Sequence, residues 1–272
     1  MAKNGPVPEL PEVESVRRQL QPRLVGRHIV AVRATPQQRF HAVEGAAGHD
    51  VIDLRRRGKY LLADLDGNLE LVMHLGMTGS FRFRGAGWEP DAYVRATFEL
   101  DDAVMDFRDV RRFGTLAVVP AGEYRGLATL AALGPEPLSD EFDRATFHRV
   151  LRGTRMAIKP WLLTQRPVAG VGNIYADEAL WRARINPHAR RIGRARSDAL
   201  WQAIREVLTE AIEREGTTFR DYQMVNGESG RNADFLVAYG QAGRPCPRCG
   251  TPLRKVILGG RGTTYCPLCQ RR

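Results

Sequence analysis

The sequence predicts an α+β chain of two domains, and three patterns carry that expectation. Between about residues 26 and 119, short alternating or apolar runs follow one another closely, as in an antiparallel sandwich or barrel rather than a parallel sheet. After Val119 the apolar spacing turns helical. All four cysteines then fall in the last 27 residues, as Cys246-x2-Cys249 and Cys266-x2-Cys269 with sixteen residues between the pairs. That is zinc-ribbon spacing, two thiolate knuckles closing one tetrahedral site, and it predicts a single structural Zn2+.

The first element is announced by Pro8-Glu9-Leu10-Pro11-Glu12-Val13-Glu14. Pro11 suits a first helical turn and the acids suit a positive helix N-terminus. Val13, Val16, Leu20 and Leu24 recur at helical spacing, so a helix is expected over roughly 11–24 with Arg17, Arg18 and Arg23 outward. Pro8 and Glu9 stand ahead of it without structural employment. Strands are expected at Lys59–Asp64, Leu69–His74, Ser80–Arg84 and Tyr93–Leu100, several of them separated by glycine turns such as Asp66-Gly67-Asn68. Gly134-Pro135-Glu136-Pro137 reads as the linker between halves. Helices follow at 140–152, opened by Ser139 or Asp140, at 173–184, and from a Ser197 cap to about 215, closed by Gly216. Residues 217–243 read as a long loop, mobile or functional at that length, and Gly259-Gly260-Arg261-Gly262 as the tip of the ribbon hairpin.

Charge narrows the partner. The chain carries net +10, yet residues 1–135 hold 18 basic against 17 acidic residues and residues 136–272 hold 23 against 14. A basic half-molecule is the footprint of a polyanion, most often nucleic acid, although a high-pI enzyme of another kind has the same composition. No apolar run approaches the roughly 18 residues of a membrane span, and no secretory signal pattern opens the chain, so the expected setting is the cytoplasm.

Chemistry concentrates at a few positions. Of 41 basic residues only Lys3, Lys59, Lys159 and Lys255 are lysine, so a retained lysine is either chemically required or a residue of codon bias. Lys59 follows Arg55-Arg56-Arg57-Gly58 at the mouth of a strand. His74-Leu-Gly-Met77-Thr-Gly-Ser ends a strand in a loop whose methionine is either core or a wedge for a base stack. Asp109-Val-Arg111-Arg112-Phe113-Gly114 sets two guanidiniums beside an aromatic ring, fit for phosphate, a base edge and stacking, or for a salt-bridged strand start. Gly170-Val-Gly172-Asn173 opens a helix as an anion site would, or simply as a helix start.

Taken in order, PELPEVE, RRGKYLL, HLGMTGS, DVRRFG, LGPEPL, AIKPWLL, GVGNIYADEAL, INP and CPRCG…TYCPLCQ make the chain, from Pro8 to Gln270, resemble the formamidopyrimidine-DNA glycosylase family of bacterial 8-oxoguanine glycosylase/AP lyases. The resemblance implies an N-terminal helix and β-sandwich domain over 1–134 and a helix-two-turns-helix domain over 135–240. A lesion-capping loop over 217–240 and a zinc ribbon over 241–272 complete it. It implies that Pro8, as a free N-terminal amine, attacks C1′ of the damaged nucleotide, expels the base and leaves an iminium, with β- and δ-elimination to follow. Glu9 would act as acid on the sugar, Lys59 would move protons and hold phosphate, and Arg261 would complete the catalytic set by gripping a phosphate. DNA contacts would come from His74, Arg112, Asn173 and Lys159, while Met77, Arg111 and Phe113 would fill the void left by the flipped base.

The implied partner is double-stranded DNA with an oxidised purine or abasic site, met by a cytoplasmic, nucleoid-associated monomer with no membrane contact. Cys246, Cys249, Cys266 and Cys269 would hold the zinc. An internal proline has no basic nitrogen, so residues 1–7 are expected to be absent from the native chain, Val7 being the conceptual reading of a GTG start. Retention of that extension would instead leave a non-catalytic damage-binding homologue. An endonuclease VIII-like enzyme for oxidised pyrimidines is the other alternative, and Leu10 with the Met77, Arg111 and Phe113 set speaks against it.

Overall fold

The computed structural model describes residues 7–271 apart from 86–89, 218–224 and 226–229. The chain divides into two compact units, Met1–Ala131 with Glu215–Gly230, and Ala132–Arg214 with Arg231–Arg272. The stretch 215–230, which the sequence reading attached to the second domain, thus groups with the first unit. Residues 1–6 of the expected extension and most of the expected capping loop lie outside the described residues.

In the first unit, helix α1 (Leu10–Leu24) opens at Glu9, whose N–H is accepted by the Glu12 carboxylate at 2.8 Å, with Pro11 in the first turn where no helical N–H is required. Leu10, Val13, Val16, Leu20 and Leu24 are buried on one face. Arg18 and Arg23 are exposed as expected, but Arg17 is not free in solvent: its guanidinium grips Glu14 and reaches Gln21.

The strands are β1 (His28–Ala34), β2 (Phe40–His41), β3 (His49–Arg57), β4 (Tyr60–Leu65), β5 (Leu69–His74), β6 (Ser80–Phe83), β7 (Val94–Leu100), β8 (Val104–Arg108) and β9 (Thr115–Pro120). They form one ladder in the order β2-β9-β5-β4-β3-β1-β7-β8-β6. Its halves meet only where His28 pairs with Asp50 and Ile29 with His49. So short a join lets a twisted sheet fold into two leaves, β2-β9-β5-β4-β3 and β1-β7-β8-β6. Leu54, Leu61, Leu71 and Met73 from one leaf and Phe81, Phe98, Met105 and Phe107 from the other share a core with α1. All pairings are antiparallel except the two-residue edge β2–β9. The short helix α2 (Ala128–Ala131) ends this part of the first unit.

The second unit holds α3 (Arg144–Gly153), α4 (Ile158–Leu163), α5 (Asn173–Arg182) and α6 (Arg194–Glu213), followed by the hairpin of β10 (Arg254–Leu258) and β11 (Arg261–Tyr265). Two expected helix starts shift. Helix α3 begins after Asp143, whose carboxylate accepts the N–H groups of Ala145 and Thr146, so the cap is Asp143 and not Ser139 or Asp140. Helix α6 begins one turn before Ser197, which is buried within it. Helix α4 has no counterpart among the expected elements. Phe142 stacks against Trp201 and meets Phe147 edge-on, closing the helical core.

Phe107 lies between Phe40 and Phe81 with no exposure, at centroid distances of 6.2 and 5.1 Å. Phe107→Ala is expected to lower the stability of the first unit by about 3–5 kcal/mol. Denaturant unfolding followed by near-UV circular dichroism measures it, and an unchanged midpoint would contradict this packing.

Candidate active site and metal centre

Helix α1 lies along β3 in a defined register. Arg17 reaches the Leu54 carbonyl, and Glu14 one turn earlier binds Arg56 at 3.2 Å. Continued by one more turn, the helix start heads for the Gly58–Lys59 turn that joins β3 to β4. Arg57 pairs with Tyr60 across that turn, and Gly58 sits at φ +58°, the left-handed corner a two-residue hairpin needs. Pro8, Glu9 and Lys59 are all buried at this end of the unit. Glu14 is the hub beneath them. Burial raises its carboxyl, but the guanidiniums of Arg17, Arg56 and Arg18 more than offset this and hold it below the usual range.

Glu12, which the sequence offers only as an acid suited to the helix N-terminus, ties this corner to residues far along the chain. Its Oε1 accepts the N–H of Thr217 at 2.7 Å while Oε2 accepts that of Glu9. A side chain at Gly216 would strike Glu12 at 2.9 Å, and one at Gly230 would strike the Gly216 carbonyl at 2.3 Å. The segment between therefore leaves and returns through one pinched root. Beyond it the N–H of Arg231 binds the Arg214 carbonyl at 2.9 Å. Sequence spacing could have suggested Glu9-x-x-Glu12 as a capping pair, although glutamate is an unusual cap.

His74 ends β5 opposite Tyr60, the rings 4.6 Å apart. Its Nδ1 accepts the Gly76 N–H at 3.0 Å, which places the proton of the neutral ring on Nε2. Burial, with Lys59 and Arg39 adding repulsion, pushes its pKa down to about 4. Met77 is half-buried in the following loop rather than fully exposed at its tip. Arg111 is half-buried, and Arg112 and Phe113 are exposed, with the Arg111 guanidinium 5.1 Å from the Phe113 ring. The first unit thus gathers Pro8, Glu9, Lys59, His74, Met77, Arg111, Arg112 and Phe113.

The second unit carries the remaining positions. Asn173 is the first residue of α5, behind Gly172 and at the positive end of the helix dipole. Lys159 requires a correction. It was expected to touch DNA, but it has no exposure, and its ammonium lies 2.7 Å from Asp177 Oδ1 and 3.0 Å from both the Gly262 carbonyl and Thr263 Oγ1. Buried beside that carboxylate and these two acceptors, Lys159 ties α4 and α5 to the hairpin instead of facing a ligand. Burial raises the Asp177 carboxyl, with the Lys159 ammonium pulling the other way. Asp177 Oδ2 also accepts the Thr264 N–H, and Glu178 beside it accepts the N–H groups of Val237, Ala238 and Tyr239.

The hairpin turns on Gly259 and Gly260, both left-handed, so Arg261 is the first residue of β11, paired with Leu258, and is exposed. The four cysteine sulfurs lie within 4.8 Å of one another, those of Cys249 and Cys266 3.6 Å apart. Zn–S bonds of about 2.3 Å in a tetrahedron set sulfurs about 3.8 Å apart, so the site fits one zinc with all four positions taken by protein.

Three family descriptions match the chain: the formamidopyrimidine-DNA glycosylase N-terminal domain over residues 7–116, its H2TH domain over 133–223, and the zinc finger found in FPG and IleRS over 243–272. The formamidopyrimidine-DNA glycosylase of Deinococcus radiodurans is 45% identical, with 97% of each chain aligned. The crystal structure of the MutM (Fpg) protein from Thermus thermophilus superposes with TM-score 0.91 at 44% identity, covering 97% of this chain and 98% of that one. Lactococcus lactis Fpg, at 34% identity and covering 97% and 100%, superposes with TM-score 0.90 in complex with N7-benzyl-Fapy-dG containing DNA and 0.89 with DNA containing an abasic site.

The depressed pKa of His74 fixes a pH dependence. The folded value lies below the unfolded one, about 6.5, so the neutral ring contributes stability above that pH. This contribution is lost as pH falls toward about 4. Nitrogen-correlated NMR is expected to show His74 neutral with the proton on Nε2 from pH 8 down to about 5; a titration midpoint near 6.5 would contradict the geometry.

Proposed function

The chain belongs to the formamidopyrimidine-DNA glycosylase family, and from that premise we propose how its own residues carry base-excision repair of oxidised purines. It is a DNA glycosylase with the AP lyase activity typical of the family. What supports the residue assignment is the register of α1 on β3, with Pro8 and Glu9 just ahead of the helix and Lys59 in the turn after β3, all three buried within a single unit.

Catalysis begins when a purine such as 8-oxoguanine or a formamidopyrimidine leaves the stack, since C1′ is shielded inside a duplex. The Pro8 secondary amine attacks C1′, the C–N bond to the base breaks with the base leaving with the amine's proton, and opening of the C1′–O4′ bond leaves the sugar on the nitrogen as an iminium. Glu9 protonates the deoxyribose ring oxygen, and Lys59 relays protons and holds phosphate through β- and δ-elimination. The chemistry needs Pro8 as the terminal residue, because its nitrogen within the chain is an amide. His74 donates Nε2–H to a backbone phosphate. Arg112, Asn173 and Arg261 supply further phosphate contacts. Met77 and Phe113 fill the vacated stack while Arg111 faces the estranged base.

The partner is DNA, and the reading specifies a duplex bearing an oxidised purine or abasic site, bound by a monomer working at the bacterial nucleoid. Among the described residues no helix is long and apolar enough to cross a membrane. Cys246, Cys249, Cys266 and Cys269 hold one structural zinc, which fixes the hairpin carrying Arg261 and leaves no open coordination position for substrate.

Protein beginning at Pro8 is expected to give a borohydride-trapped covalent complex with an 8-oxoguanine:cytosine duplex, and protein retaining residues 1–7 none. Absence of trapping with a terminal Pro8 would refute the nucleophile. Cys249→Ser is expected to cost about tenfold or more in duplex affinity through loss of the hairpin. Its lyase rate on an abasic oligonucleotide at saturating protein should change far less, and retained affinity without zinc would count against the structural role.

A further inference from the structure

Asp109 has no solvent exposure and sits just past the end of β8, between the loop that bears Met77 and the loop that bears Arg111 and Phe113. Its carboxylate binds both. Oδ1 accepts the Thr78 hydroxyl at 2.5 Å and the Arg111 N–H at 3.2 Å, and Oδ2 accepts the Gly114 N–H at 2.7 Å. Thr78 Oγ1 in turn accepts the Arg111 N–H at 2.9 Å. Arg112, between the two bound N–H groups, holds φ +58°, a left-handed conformation that costs a non-glycine residue energy and persists only where its neighbours are fixed.

The backbones also interlock. A Cβ on Gly76, itself at φ +63°, would lie 2.5 Å from the Phe113 carbonyl carbon, and one on Gly114 would lie 2.6 Å from the Phe107 ring and 3.0 Å from Asp109. The first loop is closed on itself by the Gly79 N–H to the Leu75 carbonyl. Neither loop can therefore shift without the other, and the strained Arg112 turn is clamped on both sides.

We infer that Asp109 and Thr78 are positioning residues that make Met77, Arg111 and Phe113 one rigid insert, so that filling the vacated stack and reading the opposite base occur as a single event. This rests on the proposed roles of those three side chains. Because the groups are already ordered before DNA arrives, binding does not have to freeze two independent loops, and the saving appears in affinity for duplex lesions. A substrate with no opposite strand has no void to fill and does not sense the lock.

The test uses protein beginning at Pro8 and three readouts: KM for an 8-oxoguanine:cytosine duplex, the ratio of excision opposite cytosine to excision opposite adenine, and the elimination rate on a single-stranded abasic oligonucleotide. Thr78→Val is expected to raise KM about tenfold, the equivalent of one charge-assisted hydrogen bond, and to shift the excision ratio, with the single-strand rate unchanged. Thr78→Ser, which keeps the hydroxyl, is expected to restore both. Gly76→Ala, which forces the loops apart, is expected to reproduce the valine phenotype. If Arg111→Ala shifts KM and the ratio while Thr78→Val shifts neither, the lock is wrong and the reading of Arg111 stands. If Arg111→Ala shifts neither, that reading falls and the lock with it. An equal loss on the single-stranded substrate in Thr78→Val would mean general destabilisation and would overturn positioning.

Discussion

The Glu12 carboxylate is the constraint on which the corner proposed as catalytic depends. One buried acid accepts the N–H of Glu9, at the start of α1, and the N–H of Thr217, about two hundred residues later. The first bond holds the residues just ahead of the helix in a set direction; the second brings the root of the 216–230 segment to the same place. Hydrogen bonds to a buried acceptor are costly to lose, because the N–H left behind has no water to turn to. The reactive end of α1 is therefore held by its own first turn and by a distant stretch of backbone at once.

The same device recurs. Asp109 gathers the two loops of the insert, Asp177 binds the Lys159 ammonium and the Thr264 N–H, and Glu178 collects three successive N–H groups from residues 237–239. Each is a buried carboxylate; Asp109 and Glu178 fix irregular backbone, where no helix or sheet ladder is present to do so, while Asp177 holds the edge of the hairpin strand β11. The division of labour follows from charge. Arginines such as Arg112 and Arg261 are exposed, and on the proposed reading they meet the DNA phosphates. Acids placed among them would repel that ligand, and inside the fold they orient the loops from which the arginines project.

Local signals were legible and non-local ones were not. The α1 stripe, the glycine-marked turns and the cysteine spacing could be read because each depends on neighbours within a few residues. The misplaced starts of α3 and α6 show the limit even there, since Ser139, Asp140, Asp143, Gly193 and Ser197 all compete as caps and packing decides among them. Lys159 shows the larger limit: its rarity left it either chemically required or a remnant of codon bias, and its partners Asp177, Gly262 and Thr263 are too far off in sequence for an internal role to be identified. Asp109 and Thr78 carried no signal in isolation, and only the register of two loops reveals them. Fold class and family were thus within reach of the sequence, whereas the supports of the site were not.

The pinched root of the 216–230 segment bears on how such a chain diversifies. Its ends are fixed by Gly230 against Gly216, by Thr217 on Glu12, and by Arg231 on Arg214, independently of the residues between them. Closure entropy grows only slowly with loop length once the ends are held, so a change of length there costs little in closure, whereas Val225, buried in the core of the first unit, ties the interior of the segment to the scaffold. The segment is in this sense a cassette, set between borders that residues outside it fix. The cassette's own borders are the least negotiable part of it: glycine at 216 and 230 is dictated by contact, whatever chemistry the interior adopts.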